Sequence, residues 1–262
     1  EHIATTGCSN PYLKVVCHST YTAPTGNTSS GASSTTGTGG NSGSSTSNPV
    51  NPTSPVTAVV PPVPPDPLST KPCAELKKLT NNSNIKDTYT GVLGLESKVN
   101  QNIEFGNFFS RGANYDTTTP VANNPNNPEQ LDMKNAVGGS IYGANHTHPH
   151  YSYGAYPMFS APDVKYLMQV ARDYTNTNGL LKDYSIFVLT LTVPNGTFAI
   201  KIKDATKFSQ LFTNNMEKYT KFSNALAIAY RSMNPSDIEN LKKAFLKLMG
   251  DYNMGIGLYQ VK

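Results

Sequence analysis

The sequence contains no tryptophan and only three cysteines, Cys8, Cys17 and Cys73, among its 262 residues. Three thiols without a C-x-x-C pair exclude a disulfide-built scaffold and a thioredoxin-type redox motif. Charge is also missing over a long stretch: from Val15 to Pro65 there is no Lys, Arg, Asp or Glu. No apolar run approaches the roughly 18–20 residues needed to cross a bilayer, so no membrane span is expected. The net charge of +4 comes from 21 basic and 17 acidic residues, nearly all beyond residue 72 and mixed in sign. The basic residues of 201–221 and 242–247 are spread around amphipathic helices rather than gathered on one face, which argues against a nucleic-acid partner. No G-x-S-x-G elbow, Walker loop, Rossmann glycine fingerprint or H-E-x-x-H is present.

What is present divides into a low-complexity segment and a patterned one. The chain opens on Glu1 rather than Met, and residues 1–18 read as the N-terminal remnant of a larger or processed chain. Cys8 and Cys17 close a small loop in an oxidising compartment or stay as free thiols; both readings remain open. Residues 19–72 read as a disordered linker, because neither half buries enough apolar surface to offset its ordering entropy. Thr25 to Asn48 is Gly/Ser/Thr-rich and flexible, whereas Pro49 to Pro67 favours a polyproline rod of roughly 55–60 Å at about 3.1 Å per residue. Such an uncharged tether fits a secreted or cell-surface protein, held on a larger polypeptide or a surface assembly.

From Cys73 onward the patterns are those of one packed α/β domain, 73–262. Cys73 opens the helical pattern of 74–80 and is expected to be a buried structural thiol. A second helical stretch is expected over 86–101, interrupted by Gly91 and Gly94. Ile103 to Phe109 reads as a strand, 112–130 as a long loop and Val137 to Asn145 as a second strand. The 161–176 helix carries Val164, Leu167, Met168 and Ala171 on one face. Tyr184 to Val193 is almost wholly apolar, as in a sheet centre, and Asn195-Gly196 turns it into Phe198 to Lys203. One long amphipathic helix follows, from Phe208 to Met233, stopped at Asn234-Pro235. Ser236 to Glu239 forms a capping box for a further helix, and Met254 to Val261 is the last strand.

The chemistry concentrates in Gly143-Ala-Asn-His146-Thr-His148-Pro149 and in Ser160-Ala-Pro-Asp163. Residues i and i+2 of a strand share a face, so His146 and His148, at a strand exit, offer both imidazoles to one point. Pro149 ends the strand, and Asp163 falls in the first turn of the next helix. Two imidazoles and one carboxylate with a fourth position open form the ligand set of a catalytic zinc site. Each piece also has a plainer reading. Ser160-x-x-Asp163 is what a capped helix start looks like, and a His-x-His pair is often only packed or exposed. Three of the five histidines, His146, His148 and His150, nevertheless fall within five positions.

These residues resemble the JAMM (MPN-plus) metalloproteases, whose pattern is His-x-His-Pro followed by Ser-x-x-Asp at a helix start. The resemblance covers about Ile103 to Lys203. It implies an α/β fold with a JAMM/deaminase-like mixed sheet and flanking helices, and zinc-dependent hydrolysis of peptide or isopeptide bonds in a peptide or protein substrate. By motif it places Zn2+ on His146, His148 and Asp163, and an oxyanion-supporting serine at Ser160. It also requires a glutamate on an earlier strand as proton carrier. Glu104 fits best, flanked by apolar residues that desolvate it, with Glu96 and Glu129 as weaker substitutes. The stretch from His150 to Phe159 is longer than the family's usual spacing, which admits a local insertion, an altered geometry or His150 as a further ligand. Tyr151, Tyr153 and Tyr156 within it line a substrate cleft or pack as a surface flap. The reading from another class is a non-catalytic surface or virion-associated binding domain on a stalk.

Overall fold

The computed structural model describes residues 15–16, 71–112, 116–133, 139–150, 155–178, 184–214 and 216–261. Two compact units divide the chain, Glu1–Ala23 with Asp66–Lys262, and Pro24–Pro65. The second unit lies outside the described residues, as do Cys8, Cys17 and the Cys73 side chain.

The strands are β1 (Val15–Val16), β2 (Gly106–Arg111), β3 (Asp116–Pro120), β4 (Asn123–Asn124), β5 (Asn127–Leu131), β6 (Ile141–Thr147), β7 (Val188–Val193), β8 (Gly196–Ile202) and β9 (Ile256–Val261). The helices are α1 (Lys71–Asn81), α2 (Ser83–Lys86), α3 (Ala161–Asn178), α4 (Ala205–Asn214), α5 (Met216–Arg231) and α6 (Ile238–Asp251). One mixed sheet runs in the order β1-β9-β8-β7-β6-β2-β3, with β1 adding only two residues at its edge. β4 and β5 form a separate hairpin. Within the main sheet β6 and β7 are parallel, and every other pairing is antiparallel.

Burial follows from that order. β7 has three strands on one side and three on the other, and all six of its residues are buried. This is why Val188 to Val193 carries no polar face except threonines. A parallel pair needs a crossover, and α3 supplies it between β6 and β7, packing on both. Val164, Leu167, Val170 and Ala171 of α3 enter the core. The helices α3 to α6 cover the face of the sheet that carries Leu189 and Leu191. The opposite face, with Asn145 and Thr190, meets the α1–α2 region through Thr88 and Tyr89. The crossover also fixes the location of the site, because the end of β6 and the start of α3 meet at one end of the sheet.

Several elements differ from their sequence expectation. No long helix spans 86–101: α2 ends at Lys86 and only a single 3-10 turn, Leu95–Lys98, follows. Gly91 has φ of 80° and a Cβ on Gly94 would run into the Thr90 carbonyl, so the backbone turns there as only glycine permits. The expected loop over 112–130 is mostly strand: β3 pairs with the outer edge of β2, from Asn107↔Pro120 to Arg111↔Asp116, and β4 and β5 pair with each other. The first strand starts at Gly106 rather than Ile103, which leaves Glu104 on the lead-in to β2 and not within a strand. The histidine strand spans Ile141–Thr147; residues 134–138 lie outside the described residues. Tyr184–Ile186 is a 3-10 turn before β7. In the β7–β8 hairpin Gly196, at φ 121°, pairs with Val193, so Pro194-Asn195 are the two loop residues. The expected long helix is the two helices α4 and α5. α6 is capped by Asp237, whose carboxylate accepts from Asn240 N–H at 3.1 Å, while the Ser236 hydroxyl turns back to Asn234.

Candidate metal centre

The site is assembled from the end of β6 and the first turn of α3. His146 lies inside β6, and His148 follows the strand's last residue, before Pro149 removes the next ladder donor. Both imidazoles are buried, at 3% and 8% exposure, and their Nε2 atoms approach to 3.3 Å. Asp163 stands in the first turn of α3. Its Oδ1 is 3.1 Å from His146 Nε2 and its Oδ2 is 3.4 Å from His148 Nε2. The three side chains each offer a donor atom, all within 4.8 Å of one another, and the group could hold a metal ion. The sequence expectation for these three residues therefore meets a structure that brings them together.

The other ring nitrogens are committed elsewhere. His146 Nδ1 lies 2.9 Å from the Thr190 carbonyl of β7, and His148 Nδ1 lies 2.8 Å from the Tyr156 carbonyl. A carbonyl only accepts, so both Nδ1 atoms carry the proton, and a neutral ring then presents a lone pair at Nε2. Two lone pairs and a carboxylate facing one point form an electron-rich cluster that calls for positive charge. Electrostatics agrees with this. Burial by itself would raise the Asp163 carboxyl, but the two imidazoles hold it well below the ordinary carboxylate range. Burial would likewise lower His148, but the bond and charge of Asp163, the Glu104 charge and the Tyr156 carbonyl raise it to about 9.

Ser160 precedes α3 and faces Asp163. Its main-chain N–H donates to Oδ2 at 2.6 Å and its hydroxyl donates to the same oxygen at 2.7 Å. Asp163 N–H returns a long bond to Ser160 Oγ at 3.4 Å. The capped-helix reading of Ser160-x-x-Asp163 is thus realised through Oδ2 and the Asp163 N–H, while Oδ1 faces His146.

A cleft of about 420 Å3 opens at this point, with Glu104, His148, Ser160 and Asp163 in its wall. Glu104 is half-buried, and its Oε2 accepts the Leu131 N–H at 3.0 Å. Its own N–H donates to the Glu129 carbonyl at 2.9 Å, so the β4–β5 hairpin holds it in place. Neither substitute reaches the cleft: the Glu129 side chain is exposed and Glu96 borders a different hollow, beside the β7–β8 turn. His150 uses its N–H on the Gln101 carbonyl and does not belong to the three-residue group.

Of the loop tyrosines, Tyr151 and Tyr153 lie outside the described residues, and Tyr156 stacks on Tyr230 at 5.2 Å instead of lining the cleft. Tyr230 in turn donates to the Phe159 carbonyl at 3.1 Å, which anchors the longer loop on α5. The aromatic wall comes from Tyr166 and Tyr219, which sequence reasoning did not single out. The signal for Tyr166 was its position three residues after Asp163, on the same side of α3. Its hydroxyl is buried without a hydrogen-bond partner among the described residues. Gly106 permits the close approach of β2 to this corner, since a Cβ there would lie 2.8 Å from Leu131 Cδ1 and 3.2 Å from His146 Cβ. In comparisons with known proteins, the chain matches no protein-family model, no curated protein and no solved structure.

Proposed function

We propose that the chain is a zinc-dependent, JAMM-like metallopeptidase acting on peptide or isopeptide bonds. The observation that carries this reading is the convergence of His146 Nε2, His148 Nε2 and the Asp163 carboxylate, with both Nδ1 atoms tied to main-chain carbonyls. Spacing supports zinc in particular. A tetrahedral ion bound at about 2.0–2.1 Å needs donor atoms roughly 3.3–3.4 Å apart. The two imidazole Nε2 atoms stand 3.3 Å apart and His146 Nε2 stands 3.1 Å from Asp163 Oδ1, while His148 Nε2 stands 3.4 Å from the other oxygen, Oδ2. Carbonyl partners on the distal ring nitrogens are the usual outer support of zinc-bound histidine.

When bound, such an ion lowers the pKa of a coordinated water towards 7 and polarises a carbonyl oxygen. The chain supplies the rest. Leu131 N–H fixes one oxygen of Glu104 and leaves the carboxylate facing the cleft. From there Glu104 takes a proton from the attacking water and returns it to the leaving nitrogen. Leu131, Met133, Tyr166 and Tyr219 give the cleft apolar walls, and Asn124, Gln130 and Gln169 add amides suited to a peptide main chain. The charge-free Ser/Thr/Gly/Pro stretch supports action outside the cell, on a tethered domain. Elemental analysis of protein purified without chelator tests the reading: about one zinc per chain is expected, with hydrolysis abolished by chelator and restored by zinc. A folded protein without metal affinity would leave a metal-free binding domain in its place.

A further inference from the structure

Ser160 stands where the resemblance implies a donor to the reaction oxyanion, yet both of its donors point at Asp163. A carboxylate oxygen has two lone-pair directions. On Oδ2 these are met by Ser160 N–H at 2.6 Å and by Ser160 Oγ at 2.7 Å. His148 Nε2 lies further away, at 3.4 Å from the same atom. Oδ1 is the oxygen left to a cation, and it is the one that faces His146 Nε2 at 3.1 Å.

We infer that Ser160 is a positioning residue for the metal ion, acting through Asp163 and not through the substrate. By saturating Oδ2 it restricts Asp163 to one ligand bond, through Oδ1. A carboxylate bound through both oxygens would occupy a further coordination position, and zinc chemistry depends on one position being open. Ser160 thus helps decide whether the centre is reactive or closed. The inference rests on the metal-site reading above and concerns a different atom pair.

The test uses Zn2+ and Co2+ alone, without any substrate. Zinc affinity is measured against a competing chelator for the wild-type chain, Ser160→Ala and Ser160→Thr. Ser160→Ala should weaken zinc by about 10- to 100-fold, the range for loss of an outer-shell partner, and Ser160→Thr should return it close to wild type. The visible spectrum of the Co2+ form supplies the readout that simple loss of a helix cap would not move. Wild type should show the intense bands of a four-coordinate ion, and Ser160→Ala the weaker bands of a five-coordinate one as Asp163 becomes bidentate. If Ser160→Ala folds poorly, Ser160→Gly gives the same comparison, since glycine is tolerated as a cap and keeps the main-chain donor. Wild-type zinc affinity and an unchanged cobalt spectrum in the variant would overturn the inference alone. A wild-type chain that takes up neither ion would overturn the metal-site reading and this inference together.

Discussion

Asn145 and His146 are neighbours in β6, yet they end in opposite kinds of buried polar network on opposite faces of the sheet. Asn145 Oδ1 accepts from the N–H and the side-chain amide of Asn107, at 2.9 and 3.1 Å, and its own amide donates to Thr88 Oγ1 at 2.5 Å. Thr88 donates onward to the Ile85 carbonyl, and Tyr89 pairs with Thr190 Oγ1 at 2.7 Å. None of these buried side-chain atoms is left without a partner, and the network needs no added charge. On the other face His146 and His148 spend their donors on main-chain carbonyls and turn their acceptors towards a carboxylate. That network balances only with an added positive charge, either a proton on His148 or a metal ion. The two buried polar clusters thus differ in what they leave over: the Asn145 cluster needs no added charge, and the His146–His148–Asp163 cluster is one that could hold a metal ion.

The contrast can be broken most sharply at the ligands. Replacing His148 with Ala should abolish stoichiometric zinc, a loss beyond the roughly 10–100-fold seen for outer-shell changes. Circular dichroism should show the fold retained, and a variant that still binds one zinc per chain would remove His148 from the site. Next in size is Glu104→Gln, which should keep zinc but lower turnover by about 10²–10⁴, the usual contribution of a general acid–base group. Undiminished activity would place the proton carrier elsewhere.

Proton and metal should compete for the open network. His148, with a folded pKa raised to about 9, carries a proton at neutral pH that the ion must displace. Zinc affinity, measured calorimetrically, should rise by about tenfold per pH unit between pH 7 and 9 and flatten above that. The metal-free protein should behave in the opposite sense. A raised folded pKa adds stability that is fully present below the unfolded value near 6.5 and is lost as pH climbs through 9. Melting temperature without metal should accordingly fall over that window, while the zinc-loaded protein gains. The smallest effect belongs to the closed network: Tyr89→Phe should cost about 0.5–1.5 kcal/mol in denaturant unfolding and leave zinc affinity unchanged.

The sequence made the two ends of the site legible and left its support obscure. His146, His148 and Asp163 were readable because strand period and helix start are local properties, each written in a few consecutive residues. The carbonyls of Thr190 and Tyr156, which set the imidazole tautomers, left no trace, since every residue has a carbonyl and only the fold aims it. Strands β3 to β5 were read as loop because Asp116 to Leu131 lacks apolar alternation; they are strands through pairing with β2 and with each other. β7, α3 and the β7–β8 hairpin were visible because burial on both faces, helical period and turn chemistry all agreed. The helix expected over 86–101 failed at Gly91 and Gly94, where backbone geometry overrode a weak apolar period.

The most direct test is an anomalous difference map at the zinc edge, from crystals of the full chain grown with zinc. One strong peak is expected, about 2.0–2.2 Å from His146 Nε2, His148 Nε2 and an oxygen of Asp163. Zinc bound only elsewhere, with these three side chains still hydrogen-bonded to one another, would contradict the account.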